Sequence, residues 1–503
     1  MCGIAGLWGR RDERAVRDMM AELRHRGPDA SGMHTCDRGA LGHRRLSIMD
    51  PAGGDQPIYN ETGELAIVAN GEIYNFPALR ADLAARHTLR TGNDSESVVH
   101  LYEDRATGAA AALDGMFAFA LTDGADVFLA RDPIGIKPLY YGRRHAGLIF
   151  ASELKALAPH ARDVREFPAG TWYHSTAGFG RFYDVPDRQP VDRPADEHAR
   201  LIRGALERAV GKRMMSDVPV GAFLSGGLDS SIICALVRRH VDRLHTFSVG
   251  IEGSADIEAA RRVAHHLDTI HHEYLLTSEE VRAKLPEIVY HLESYDQDLV
   301  RSAIPCYFTS RLAARYVKVI LTGEGADELF AGYTYYRDID DEGALHRELR
   351  RSVCSLHNVN LQRVDRLTMA HGLEGRVPLL DTELIELAQT VPAELKLRRM
   401  SDGRLVEKWI LRTACEDLLP AEIIWRDKQQ FDEGSGTVDL VSTGFEAVLP
   451  PDRAAGYAAE HPEAALRSRE ECAYHKLLSS AYGGSDVVMN NVARWSHRQC
   501  DVA

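Results

Sequence analysis

Three short stretches hold residue types that could do chemistry. The first is Ser225-Gly226-Gly227-Leu228-Asp229-Ser230-Ser231, between the apolar run 218–224 and a stretch carrying Ile232, Ile233, Leu236 and Val237. A glycine turn between a strand and a helix N-terminus points backbone N–H groups at an anion, and the helix dipole favours negative charge there. Gly226 and Gly227 would let the backbone approach a phosphate closely. No Gly-Lys-Ser/Thr follows, so this is not a loop that holds β- and γ-phosphates with a lysine. The second stretch is Thr322-Gly323-Glu324-Gly325-Ala326-Asp327-Glu328, directly after the apolar run 317–321. Asp327 and Asp229 could share one Mg²⁺, an ion that takes one or two carboxylates plus phosphate oxygens and water. A plain acidic helix start would account for Asp327 and Glu328, but not for two glycine-flanked strand exits. The third is Cys2. Removal of the initiator Met would give this cysteine a free α-amine, which titrates near ~8 and can act as base for its own thiol.

The elements that must position these groups follow from periodicity. Around the first loop, strands at 218–224, 244–250, 271–274 and 317–321 alternate with helices at 196–214, 229–237 and 256–267. That alternation predicts a parallel, doubly wound sheet with ligands at the C-terminal ends of its strands. His265, His266, His271 and His272 do not have metal-ligand spacing, because neighbours on a strand face opposite sides; they are read as structural. Upstream, 185–196 carries three prolines and several charges and reads as a linker. It divides the chain into 2–185 and 197–503.

Bulk properties bound the function. The chain has 503 residues, enough for two or three domains, with 45% hydrophobic and 27% charged content. A net charge of −14 argues against a protein held on nucleic acid by phosphate contacts. No run is long and apolar enough for a membrane span. The N-terminus lacks a signal-peptide pattern. Eight cysteines are scattered without a Cys-x-x-Cys pair, which suggests reduced thiols and a cytoplasmic setting.

Other N-terminal segments add to Cys2. They are Arg24-His25-Arg26-Gly27-Pro28-Asp29, His43-Arg44-Arg45-Leu46-Ser47-Ile48, Asn70-Gly71-Glu72-Ile73-Tyr74-Asn75, Thr91-Gly92-Asn93-Asp94-Ser95-Glu96 and the Pro/Gly-rich 131–141. Singly each has an ordinary reading: Asn70-Gly71 as a hairpin turn, Asp94 as a helix cap, Arg45 as a solvated charge. In this order, over about 2–160, they resemble the class II glutamine amidotransferase domain, an N-terminal-nucleophile hydrolase. The resemblance implies a four-layer αββα sandwich. It implies that Cys2 attacks the glutamine side-chain carbonyl. Asn70 and Gly71 would then form the oxyanion hole, Arg45 would hold the α-carboxylate, and Asp94 and Glu72 would receive the α-ammonium and its surroundings.

The 225–231 string resembles the pyrophosphate loop of enzymes that cleave ATP to AMP and pyrophosphate. With 322–333, 363–371, 374–381, 407–412 and 425–431 it resembles the synthetase domain of the glutamine-hydrolysing asparagine synthetases, an α/β domain of the adenine nucleotide α-hydrolase-like type. That resemblance implies adenine and ribose contacts at Leu224, Val249 and Gly323, with Thr322 beside them. Ser225, Gly226, Gly227, Asp229 and Ser230 would cradle pyrophosphate, and Asp229 and Asp327 would hold Mg²⁺. Lys428 would stabilise phosphate charge, and Glu324 would be the general base for ammonia. The implied reaction turns aspartate, ATP and glutamine into asparagine, AMP, pyrophosphate and glutamate, with ammonia moving through an apolar internal passage. Relatives of this kind are often homodimers. The acceptor stays open between aspartate and another carboxylic acid, because Gln297, Asp298 and Leu299 fall where small hydroxyl residues are usual, and Gly375 where a bulkier residue is. β-Lactam-forming synthetases share the architecture, but a retained Cys2 and Glu324 argue against cyclisation. A non-catalytic sensor would have lost the nucleophile or the loop.

Overall fold

The computed structural model describes residues 2–426 and 448–495. The N-terminal domain has strands β1 (Cys2–Trp8), β2 (Ala30–Cys36), β3 (Gly39–Arg45), β4 (Ile58–Tyr59), β5 (Ala66–Ile73), β6 (Gly115–Thr122), β7 (Val127–Arg131), β8 (Tyr140–Arg144), β9 (Gly147–Ala151), β10 (Arg162–Glu166), β11 (Thr171–His174) and β12 (Gly178–Arg181). They form two six-stranded sheets, ordered β10-β8-β9-β1-β3-β2 and β12-β11-β7-β6-β5-β4. Helices α1 (Glu13–Glu22), α2 (Phe76–Leu83), α3 (Glu96–Arg105) and the short α4 (Leu154–Leu157) cover the outer faces.

The layering follows from side chains alternating across each strand. On β1, Ile4 and Trp8 enter the core between the sheets, while Ala5 and Leu7 pack outward with Val16 and Met19 of α1. On β6, Ala118 and Ala120 face the inner core, and Phe117, Phe119 and Leu121 pack with Val98 and Leu101 of α3. Strands with both faces covered read as apolar throughout, which is why 116–121 lacks polar alternation. The predicted αββα sandwich is what forms.

The C-terminal domain begins with α5 (Ala195–Lys212) and holds β13 (Val220–Phe223), α6 (Leu228–Val237), β14 (His245–Gly250), α7 (Ala255–His266), β15 (Ile270–Leu275), α8 (Ser278–Leu292), α9 (Gln297–Ala313), β16 (Val319–Leu321), α10 (Ala326–Phe330), α11 (Glu342–Cys354), α12 (Asn360–Met369) and β17 (Glu374–Arg376). All five strands run parallel in the order β15-β14-β13-β16-β17. The order reverses between β13 and β16, so the two glycine-rich exits open side by side at the switch point, where α/β sheets bind ligands. His271 bonds Thr246 and Ser248, and His272 bonds His245, across β14 and β15. Further on, a hairpin of β18 (Leu397–Arg399) and β19 (Leu405–Glu407) leads into a helix, Trp409–Ala414. Among the described residues no helix is long and apolar enough to cross a membrane, and the seven described cysteines are free thiols.

Buried charge joins the domains. Arg26 reaches Glu153 and, across the junction, Asp365, each at 2.7 Å. Arg366 reaches back to Glu153 at 3.2 Å and lies 2.8 Å from Glu293, and Lys155 spans Glu153 and Glu293. These side chains are at most 3% exposed. The basic segment at 24–26 thus supplies an interface residue.

Candidate active sites

The first site lies between the two antiparallel sheets. Cys2 opens β1 and is paired in register with Arg45 at the end of β3. From the other sheet, Asn70 on β5 accepts a hydrogen bond at Oδ1 from the Cys2 backbone N–H, at 2.8 Å. The Asn70 amide nitrogen is buried and has no hydrogen-bond partner. A buried donor left unmade is costly unless a ligand uses it. The Asn70-Gly71 pair is therefore no hairpin turn. β5 runs on through Ile73, paired with β6 as far as Gly115. Gly71 has φ +149°, and a side chain there would run into the Met116 carbonyl, so only glycine fits.

Arg45 is 3% exposed and is no solvated charge. Its guanidinium donates to the carbonyls of Met49, Asp50 and Pro51 and to Asp55, with the 49–55 loop gathered around it. Asp94 is not a side-chain cap for α3. It accepts the Ile73 N–H, and burial pushes its carboxyl up to about 6. Burial raises Glu72 well above the usual carboxylate range, with Glu374 and Asp94 adding to it. Burial also raises the Cys2 thiol. The structure adds two residues that sequence spacing did not mark. Glu374 and Arg376 on β17 form a buried pair at 2.6 Å, and Arg376 lies 3.7 Å from Glu72. The edge strand of the second domain thus closes the site of the first.

The second site is a cavity of about 550 Å³ at the C-terminal ends of β13, β14 and β16. Leu224, Ser225, Gly227, Asp229, Ser230, Val249, Thr322, Gly323, Glu324 and Asp327 all line it. Gly226 does not. With φ +78° it turns against α7, where a side chain would come within 2.5 Å of the Ala260 nitrogen. Close packing against α7 thus requires glycine at this position. Lys428 lies outside the described residues. Lys408 adopts φ +55° between β19 and the next helix. Its ammonium stands 2.6 Å from both Asp229 and Asp327. Burial works against the charge of Lys408, but the two carboxylates hold its pKa above the ordinary lysine value.

Glu324 is ion-paired with Arg363 of α12. Burial raises its pKa, Arg363 opposes that, and Asp327 and Asp229 add to it. Arg426, which also lines the cavity, donates to the Gly226 carbonyl and pairs with Asp256 at 2.8 Å, fastening the loop. Asp298, Leu299, Arg301 and Ser302 of α9 line the far wall, with Arg301 held by Glu470 at 2.5 Å. Gln297 is turned away to accept from Ser468. Arg363, Lys408 and Arg426 fall in segments that carry the family resemblance, but which carboxylate each one pairs with is not legible locally, since each acts across more than 30 residues.

Comparison with known families agrees with this geometry. Residues 1–172 match a glutamine amidotransferase domain family, and 201–341 with 337–454 match the asparagine synthase family. A glutamine-hydrolysing asparagine synthetase of Triphysaria versicolor is 41% identical over 460 residues, spanning 87% of this chain and 78% of that protein. Another from Arabidopsis thaliana is likewise 41% identical over 460 residues, covering 87% and 79%. A probable asparagine synthetase of Dictyostelium discoideum is 37% identical over 536 residues, covering 98% and 96%. At this identity over nearly the whole length, the chain belongs to the glutamine-hydrolysing asparagine synthetases, ligases that take their amide nitrogen from glutamine.

Proposed function

We propose that this protein makes L-asparagine from L-aspartate, ATP and glutamine, through a β-aspartyl-AMP intermediate. The observation that carries this reading is the single cavity lined by both the 225–230 loop and Glu324. The loop suits a leaving phosphate group, and the raised carboxylate suits a base, so activation and amination can occur in one place.

In the first domain, Cys2, with its α-amine free after Met removal, attacks the glutamine amide carbon. The unpartnered Asn70 amide and the Gly71 N–H receive the oxyanion, where preorganised donors act most strongly. Arg45 takes the α-carboxylate, and Asp94 with Glu72 takes the α-ammonium. Ammonia leaves, and water releases glutamate from the thioester.

In the second domain, the aspartate β-carboxylate attacks the α-phosphorus of ATP, and pyrophosphate departs into the 225–230 loop. Ser225 and Ser230 hydroxyls, 2.9 Å apart, and the α6 N-terminus face it. Leu224, Val249, Thr322 and Gly323 border the nucleotide. Asp229 and Asp327 converge on one positive centre, and an all-oxygen pair at adjacent strand exits fits Mg²⁺. When bound, that ion would neutralise charge on the phosphates. Lys408 stands at the same carboxylates, and Lys428 is assigned to the phosphates by family resemblance alone. Glu324 then takes a proton from the attacking ammonia, steadied by Arg363.

Ammonia must stay unprotonated between the sites. β17 suits a passage, because Glu374 and Arg376 adjoin the first site while Gly375 packs on Val364, which lines the second. We assign 2–185 and 197–503 as the two domains, with 186–196 as linker, and a cytoplasmic homodimer as the working form. Nucleic acid and membranes have no part in this reading.

The acceptor is tested by a screen of carboxylic acids, aspartate included, for ATP-dependent pyrophosphate release. Aspartate is expected to give the highest kcat/KM. A different acid preferred by tenfold or more would replace aspartate and favour a related amidotransferase reading, consistent with Asp298 and Leu299 on the acceptor wall.

A further inference from the structure

The N-terminal domain carries a second polar cluster that the amidotransferase chemistry does not use. It gathers Glu61 from the turn after β4, His87 from beyond the end of α2, and His100 and Glu103 from α3. His100 and Glu103 are three residues apart on a helix and so share a face. His100 lies on α3, six residues beyond Asp94 in the chain.

The four side chains converge as ligands do. His100 Nδ1 is 2.8 Å from Glu103 Oε2 and 3.3 Å from Glu61 Oε2. His87 Nδ1 is 3.4 Å from Glu61 Oε1 and 3.5 Å from Glu103 Oε2. Bonds of 2.0–2.2 Å to a tetrahedral ion put ligand atoms roughly 3.3–3.5 Å apart; with Glu61 Oε2 as its ligand atom, the His100–Glu61 and His87–Glu103 separations of 3.3 and 3.5 Å fall there, and one ligand atom from each of the four residues lies within 4.8 Å of the others. Hydrogen bonding accounts for the His100–Glu103 pair only. Glu61 Oε2 is a buried atom with no hydrogen-bond partner, although it stands 3.3 Å from His100 Nδ1. The rings stack with centroids 4.7 Å apart, and both Nδ1 atoms approach Glu103 Oε2.

The groups behind these four fit the same reading. His87 Nε2 is 3.0 Å from Asp104 Oδ1, the carboxylate–histidine arrangement that orients a metal-bound imidazole. Asn60 donates to the second oxygen of Glu103 at 2.9 Å. His100 is fully buried, while His87 is 12% and Glu61 28% exposed, so an ion could enter from one side. Two carboxylates balance a dication. Two nitrogens among four ligands favour zinc over calcium or magnesium, which demand more oxygen ligands.

We propose that Glu61, His87, His100 and Glu103 form a four-coordinate site for a divalent transition metal of the zinc class. All four positions come from protein, so the role is structural. The ion would fasten two surface turns onto α3, the helix whose N-terminal approach carries Asp94.

The test uses tag-free, full-length protein exposed to zinc and then dialysed. Elemental analysis is expected to find about one zinc per chain in the wild type and less than about a tenth of that in His87→Gln and in Glu61→Gln. Cobalt in place of zinc should give the visible absorption of a tetrahedral ion, absent from both variants. A chelator should lower the melting temperature of the wild type but not of either variant. Glu61 is partly exposed, so Glu61→Gln decides the matter if His87→Gln does not fold. Wild-type protein that retains no zinc or cobalt, or variants that retain as much as wild type, would overturn the proposal.

Discussion

The two reaction sites are built on opposite plans. The proposed glutamine site lies within regular strands: Cys2, Arg45, Asn70, Gly71 and Glu72 all belong to β1, β3 or β5. Its backbone is held by ladder pairing, Cys2 against Arg45 and Asn70 to Glu72 against β6, and Cys2 is only 7% exposed. The nucleotide site lies on loops at the ends of parallel strands, around a cavity of about 550 Å³. Its geometry is kept by side-chain charge, with Lys408 spanning Asp229 and Asp327, and Arg363 on Glu324. Rigid strands suit a reaction that needs one small amide placed against one thiol. A charged cavity suits two substrates and a departing pyrophosphate. β17 adjoins both, because it is the edge strand of the second domain's sheet, with Gly375 against Val364, and brings Arg376 to Glu72 in the first domain.

This contrast predicts that the sites fail separately. The largest effect is expected from Cys2→Ala. Glutamine-dependent synthesis should fall roughly 10⁴–10⁶-fold, as when a covalent nucleophile is removed, while synthesis from ammonium salts persists. Loss of both activities would mean that the sites are not independent. Glu324→Gln is the mirror experiment. Amide formation should drop about 10²–10⁴-fold, the range of a general base, with glutaminase turnover kept, as release of glutamate would record. Asn70→Ala should lower glutaminase kcat about 10²–10³-fold and leave ammonia-dependent kcat unchanged.

A pH profile sharpens the comparison further. Asp94 has its carboxyl raised to about 6 by burial, so it is neutral below that pH and charged above it. Its charged form is the one that pairs with an ammonium. The kcat/KM for glutamine should therefore fall up to tenfold per pH unit below about 6, and Asp94→Asn should remove that limb. The smallest effect is expected at the shared strand. An added methyl on Gly375 would stand 3.0 Å from Val364 Cγ1, so Gly375→Ala should cost about 1 kcal/mol in denaturant unfolding. It should also lower the asparagine made per glutamate released while each half-reaction survives.

What the sequence alone determined was local. Glycine loops after apolar runs located both strand exits, and alternating strands and helices foretold the parallel sheet, because punctuation and periodicity act within a few residues. The ordered motifs around Cys2 pointed to a nucleophile site through their resemblance to the class II glutamine amidotransferase domain, not through local periodicity. Tertiary structure decided whatever depends on distant segments meeting. It continued β5 through Asn70-Gly71, since pairing with β6 outweighs a local turn preference. It turned Gly226 onto α7 and brought Lys408 across 179 residues to Asp229. It carried Glu374 and Arg376 to the wall of the other domain's site, and set Glu61 beside His87 and His100. Such contacts are fixed by how sheets and helices stack, and spacing along the chain does not record which faces will meet.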